Sequence, residues 1–283
     1  MLNRRAATLV ELLVSLTIAA IVFGAATASV LRQQRTHARI AGVSATEVQL
    51  RTATALLASQ LAYMDAAAGD LASGEARDTA IQLRATVAIA ITCATATGRV
   101  TFLPDMPGVV ALGGVASQPR EGDSLWFLGD SSWQGARITD VALATVACPA
   151  PFSVTGSALH LSISAPDTIP AGTPIRVTRP IRYAFYRSGD GTWQLGLREW
   201  SEAAGAFSSP QPVAGPFLRN SDGRQSRFRY FGGAGEELAD VGFERSVTRI
   251  RLVAHARVVA REAAQDSVRS DSVDVALPHA IVR

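Results

Sequence analysis

From residue 12 to residue 31 the chain is apolar at nearly every position, broken only by Ser, Thr and Gly. About twenty such residues, each rising about 1.5 Å in a helix, span a hydrocarbon core about 30 Å thick. Beyond this run the pattern becomes one-sided. Val43, Leu50, Leu57 and Met64 recur at heptad distance, with Ile40, Leu56 and Leu61 on or beside the same face. Arg39, Glu47, Arg51 and Gln60 are left for the other faces. Residues 32–68 contain no Pro, and Gly42 is their only Gly. The spacing therefore predicts one helix from about residue 8 to residue 68, apolar all round in its first half and half-buried in its second. Residues 66–78, small and polar with Gly69 and Gly74, read as the helix stop and a connecting loop.

The texture then changes to period two. Residues 80–87 and 87–93 are strand-like and rich in β-branched side chains, and 98–103, 124–129 and 136–147 add further strands, the last one long or two short. Residues 158–165 alternate Leu159, Leu161 and Ile163 with His160, Ser162 and Ser164. Residues 175–187 alternate, turn through Ser188-Gly189-Asp190-Gly191 and return over 192–200 as a hairpin. Residues 205–216, rich in Pro and Ser, read as a loop. Residues 226–231 form an aromatic strand, and 247–259 should pair with 270–277 across a polar hairpin loop at 261–269. The predicted class is α+β, a long N-terminal helix packed on an antiparallel β-sheet head.

The charges at the start of the chain refine this picture. Glu11 stands where the apolar run begins, and Arg4 and Arg5 precede it with the small pair Ala6 and Ala7. A carboxylate at the edge of a membrane helix is expensive and marks a functional position. The plainer account, a carboxylate favoured by the positive end of the helix, is compatible with that. Three readings of this head compete. It can be a secretory signal cut after Ala26-Thr27-Ala28, leaving Ser29 first, or an anchor that is never cut. In the third reading, Arg4-Arg5-Ala6-Ala7-Thr8-Leu9-Val10-Glu11-Leu12 resembles the basic-Gly-Phe-Thr-Leu-x-Glu-Leu leader of type IV pilins and type II secretion pseudopilins. Ala6 stands where the family has Gly, and Ala7 where it has an aromatic residue; the Thr-Leu-Val-Glu-Leu-Leu core is intact. The uninterrupted helix beyond the membrane run favours this third reading.

The resemblance implies a cut by the prepilin peptidase between Ala6 and Ala7, N-methylation of Ala7, and Glu11 as the fifth residue of the mature chain. In the family that carboxylate compensates the N-terminal amine of a neighbouring subunit, since opposite charges attract strongly in low dielectric while either alone is costly. The implied organisation is a leader at 1–6, a transmembrane and assembly half of the helix at 7–31, an amphipathic half at 32–68 and a β-rich head at 69–283. A weaker resemblance lies in the order of the head's pieces. Tyr183 and Leu195-x-Leu197-Arg198-Glu199 in a hairpin are followed by Phe228-x-Tyr230-Phe231-Gly232 and then Ile250-x-Leu252. This order is similar to the J-type minor pseudopilin of type II secretion and the W-type minor pilin of type IV pili.

Composition adds exclusions. The 283 residues carry a net charge of +3, and with no Lys every one of the 27 strong bases is Arg. The arginines form no dense run, so nucleic-acid binding is not expected. Cys93 and Cys148 are the only cysteines, and in an exported head they are either one disulfide or two separate buried thiols. His37, His160, His255 and His279 lie apart in no metal-ligand spacing, and His160 and His255 fall on the solvent phase of strands. Gly232-Gly233-Ala234-Gly235 joins strands and reads as a turn, while Glu236-Glu237-Leu238-Ala239-Asp240 is a candidate calcium loop. Trp126, Trp133, Trp193 and Trp200 read as strand-face packing, with a carbohydrate or partner surface as the rival.

No catalytic residue, metal site or cofactor is expected. The expected function is that of a minor pilin or pseudopilin anchored in the inner membrane with its N-terminus cytoplasmic and its head periplasmic. It would assemble with other major and minor subunits through the helix, on an inner-membrane assembly platform. The alternative is an exported single-pass or secretion-cleaved β domain that binds a ligand or carbohydrate.

Overall fold

The structure, a computed structural model, describes residues 9–103, 114–129, 132–150, 152–153, 155–165, 168–219, 225–239, 242–258 and 267–277. It opens on one helix, α1 (Leu9–Leu61), whose 53 residues reach about 80 Å at 1.5 Å per residue. Strands β1 (Leu71–Ala76), β2 (Ala80–Ile91), β3 (Arg99–Phe102), β4 (Ser124–Leu128), β5 (Trp133–Ala147) and β6 (Thr155–Ile163) follow. Then come β7 (Pro174–Arg187), β8 (Trp193–Ser201), β9 (Gln211–Phe217), β10 (Arg227–Phe231), β11 (Arg249–Val258) and β12 (Ser267–Ala276). Several two-residue strands fill in between them. Every described pairing in the large sheet is antiparallel, in the order β1-β2-β7-β4-β5-β6-β3, with β8 on β7 and β9 on β8. A second sheet runs β10-β11-β12.

The long pair β2–β7 is the spine of the head. One flank of β7 pairs with β2 along most of its length, while its other flank pairs with β4 through residues 175–178 and with β8 through 181–187. Val177 pairs with Ala88 and Thr178 with Thr86, so Val87 is an extra residue in β2. A bulge of this kind resets the alternation of side chains. On one side of it Ile81, Leu83 and Ala85 join Tyr183 and Phe185 in a core shared with α1, β8, β10 and β11. On the other side Ala88 and Ala90 join Ile175, Val177, Leu125, Phe102 and Leu161 in a second core. The expectation of two strand runs meeting at Val87 is thus one strand with a bulge at that residue.

Between the two cores lies Arg179, only 4% exposed. Its Nε and Nη2 both donate to the Asp123 carboxylate at 2.8 Å. Burial pulls this guanidinium down, but the hydrogen bonds and charge of Asp123 outweigh it and raise the group above its ordinary value. A second polar knot holds the helix exit to the spine. Asp70, 2% exposed, accepts a hydrogen bond from the Asp65 backbone N–H at 2.9 Å and from Arg176 Nη1 of β7 at 2.6 Å. Its carboxylate also lies 3.6 Å from Arg84 Nε of β2.

Four expected boundaries move. The helix ends at Leu61 rather than near residue 68. Met64 stays buried, so the apolar phase continues, but the backbone turns because the Asp65 and Asp70 carboxylates take up the N–H groups of Ala68 and Asp65. Within the expected loop at 66–78, residues 71–76 form β1 against β2. Within the expected loop at 205–216, β9 lies at the edge of the large sheet, where Pro212 and Pro216 are tolerated. Residues 136–147 belong to one long strand, β5. The last two long strands pair with each other as expected, Arg249 opposite Ala276 through Val258 opposite Ser267, but β12 begins inside the expected loop at 261–269, whose residues up to 266 lie outside the described ones.

Cys93 and Cys148 are bonded, their Cα atoms 5.3 Å apart, and tie the end of β2 to the end of β5. The pair is buried with Leu103 and Ala158 in a small satellite core. The bridge spans 55 positions of sequence, so replacing both cysteines with Ser should lower unfolding stability by about 4 kcal/mol through the unfolded chain, read by denaturant titration of the full chain in detergent. Asp70→Ala strands Arg176 in a site where it is mostly buried, and should cost about 3–5 kcal/mol in the same titration. An unchanged midpoint for Asp70→Ala would remove that carboxylate from the joint.

Candidate functional site

The most unusual surface of the molecule is the first half of α1. Every residue from Val10 to Ala41 whose side chain is described is exposed, with Val10, Ile21 and Phe23 at 67%, 71% and 72%. Burial against the head begins at Gly42 and is deep by Leu50. From there Leu50, Ala53, Leu57 and Leu61 form a stripe at helical spacing against β9, β11 and β12. Val43 is half-buried and Ile40 exposed, so the heptad stripe begins later than its spacing suggests. Gln49 Oε1 accepts from the Gly215 backbone N–H at 3.3 Å and pins the helix to β9.

The polar side chains of the exposed half are adapted to apolar surroundings. Thr17 donates to the carbonyls of Leu13 and Val14 at 3.0 and 2.8 Å, and Thr27 to that of Phe23 at 2.8 Å. Hydroxyls bonded within their own helix lose little when water is removed. Glu11 sits exposed in the first turn of the described helix. By length and composition this helix is able to cross a membrane. An apolar patch of this extent far exceeds what a soluble monomer leaves open, and it marks a membrane or protein contact.

Arg4, Arg5, Ala6 and Ala7, the leader and cleavage positions, lie outside the described residues. Among the described residues no three His, Cys, Asp or Glu side chains converge as a metal site. In the candidate calcium loop the Glu237 carboxylate is taken by Arg229, whose Nε donates to it at 2.7 Å, and Asp240 is outside the described residues. The two strand histidines are half-buried rather than solvent-facing. His160 Nδ1 lies 2.9 Å from Thr101 Oγ1, and the His255 backbone N–H donates to Ser226 Oγ at 2.9 Å. Trp126 donates to Thr178 Oγ1 at 3.0 Å and Trp200 packs edge-on against Phe207, whereas Trp133 is exposed.

One cluster was not anticipated. On β10 and β11 the guanidinium groups of Arg249, Arg251 and Arg229 lie 4.3, 5.2 and 5.3 Å from the ring centre of Phe231. The hydrogen bond from Arg229 holds Glu237 below the usual carboxylate range, and that from Arg251 does the same for Asp274. The signal was present as arginines at alternate positions, 227 and 229, then 249 and 251, but alternation does not reveal which strands are neighbours.

Comparison with known proteins bears on the exposed helix alone. No curated protein and no solved structure matches the chain. The family model for the prokaryotic N-terminal methylation motif matches residues 1–27, a segment that includes Glu11 and most of the apolar run. That motif at the head of a long exposed helix, with an antiparallel β head behind it, supports a type IV pilin-like or pseudopilin-like protein.

Proposed function

We propose that the chain is a minor pilin or pseudopilin, a structural subunit that primes or caps assembly of a type IV pilus or type II secretion pseudopilus and catalyses no reaction of its own. The observation that carries this reading is the division of α1 into an exposed apolar half and a half packed on the head. The prepilin peptidase would cut between Ala6 and Ala7 and leave Ala7 methylated. Before assembly the subunit sits in the inner membrane with its N-terminus cytoplasmic and its head periplasmic. On the assembly platform it then exchanges lipid for the helices of other subunits. Both environments are apolar, so the exchange needs an added driving force. Glu11 supplies it by pairing with the amine of a neighbour, an attraction that is large in low dielectric. The order of β7, β8, β10, β11 and β12 in the head supports a J-type or W-type minor subunit.

The test is incorporation. In a host that makes the companion subunits, the chain should be recovered with sheared filaments or with co-purified minor subunits. Glu11→Gln should be processed and membrane-inserted normally, yet fall by about tenfold or more in that fraction, as the loss of one charge pair in low dielectric predicts. Equal incorporation of Glu11→Gln would contradict the assembly role of the carboxylate.

A further inference from the structure

Immediately after the apolar run the helix carries a block of charge of one sign. Arg32, Arg35 and Arg39 recur at i, i+3 and i+7, which places them along one side of α1, and His37 lies among them. The sequence has no acidic residue between Glu11 and Glu47. Arg32 and Arg35 are exposed, and the head does not reach this part of the helix, because burial begins only at Gly42.

Depth follows from the helix being continuous. If Leu31 marks the end of the hydrocarbon span, Arg32 enters the headgroup layer, and Arg39 lies about 12 Å beyond Leu31 along the axis at 1.5 Å per residue. The headgroup region of one leaflet is about 5–8 Å deep, and the field of an anionic surface extends a further Debye length, about 8–10 Å. The backbone positions of all three arginines therefore fall within reach of lipid phosphates, and an Arg side chain at the end of a membrane span leans back toward the headgroups. Under the orientation proposed above they stand on the translocated flank, where basic residues are usually sparse, so their presence calls for a role.

We infer that residues 32–39 form a cationic collar that binds the headgroups of anionic phospholipids and fixes the height at which the head stands above the membrane. The inference rests on the membrane reading of α1. The collar holds the subunit in the bilayer with about 18 Å of bare helix between Leu31 and the first head contact near Val43, at 1.5 Å per residue.

Electron spin resonance of spin-labelled lipids tests this. The full chain is reconstituted in phosphatidylcholine vesicles containing a minority of phosphatidylglycerol, and the protein-restricted fraction of each labelled lipid is compared. Phosphatidylglycerol should be favoured, and the triple change Arg32→Gln, Arg35→Gln and Arg39→Gln should reduce that preference about threefold or more, as should high salt. Changing Arg4 and Arg5 to Gln serves as the control for the opposite leaflet and should leave the difference made by the triple change in place. An identical preference with and without the three arginines overturns the collar, including the case in which they face an acidic protein helix instead. A chain that restrains neither lipid is not inserted at all, which would overturn the membrane reading of α1 and the collar with it. The three positions precede the head's first contact with the helix, so near-ultraviolet circular dichroism of the variant should match the parent.

Discussion

A helix whose first half is apolar on every side and whose second half already packs on a folded head has no means of burying that first half within its own chain. Between Val10 and Leu31, eleven described large apolar side chains stand open to the surroundings. At about 1.5–3 kcal/mol for each such side chain removed from water, the drive to cover them amounts to tens of kcal/mol. That exceeds the whole stability of an ordinary domain, about 5–15 kcal/mol. The molecule therefore needs a bilayer or the helices of neighbours at every stage. Because lipid and neighbouring helices are similarly apolar, the choice between them falls to small polar differences, and Glu11 and the arginines after residue 31 are where the sequence places them.

The head is constructed to hold that helix at a fixed attitude. Leu50, Ala53, Leu57 and Leu61 pack into the nearer of two cores, and the chain then turns sharply so that Asp70 can reach Arg176 and Arg84 on the spine strands. No helix residue is among the described members of the farther core, which is tied in by the bulge at Val87, the Arg179–Asp123 pair and the Cys93–Cys148 bridge. Load applied to α1 would pass through the β2–β7 pair before it reached the distal strands.

The helix and most long strands were legible in the sequence because each buries one consistent face, so periodicity reports them directly. Residues 175–187 and 192–200 show this well: alternation and a Ser-Gly-Asp-Gly turn are enough to define the hairpin β7–β8. Failures fell where a competing rule won. The heptad phase ran through Met64, but Asp65 and Asp70 ended the helix by taking its backbone N–H groups. The prolines of 211–217 argued for a loop, yet an edge strand loses little by lacking a donor. The buried ion pairs left no local signature, since Asp70 and Arg176 are 106 positions apart and only the antiparallel fold brings them to 2.6 Å. The N-terminal methylation motif was the opposite case. Its information is entirely local, so the motif was readable although its first residues lie outside the described structure.

The most direct measurement is the mass of the N-terminal peptide recovered from membranes of cells with and without the prepilin peptidase. The expected result is a methylated chain beginning at Ala7 when the peptidase is present and an unprocessed Met1 chain when it is absent. An intact Met1 terminus or a Ser29 terminus in both samples would contradict it.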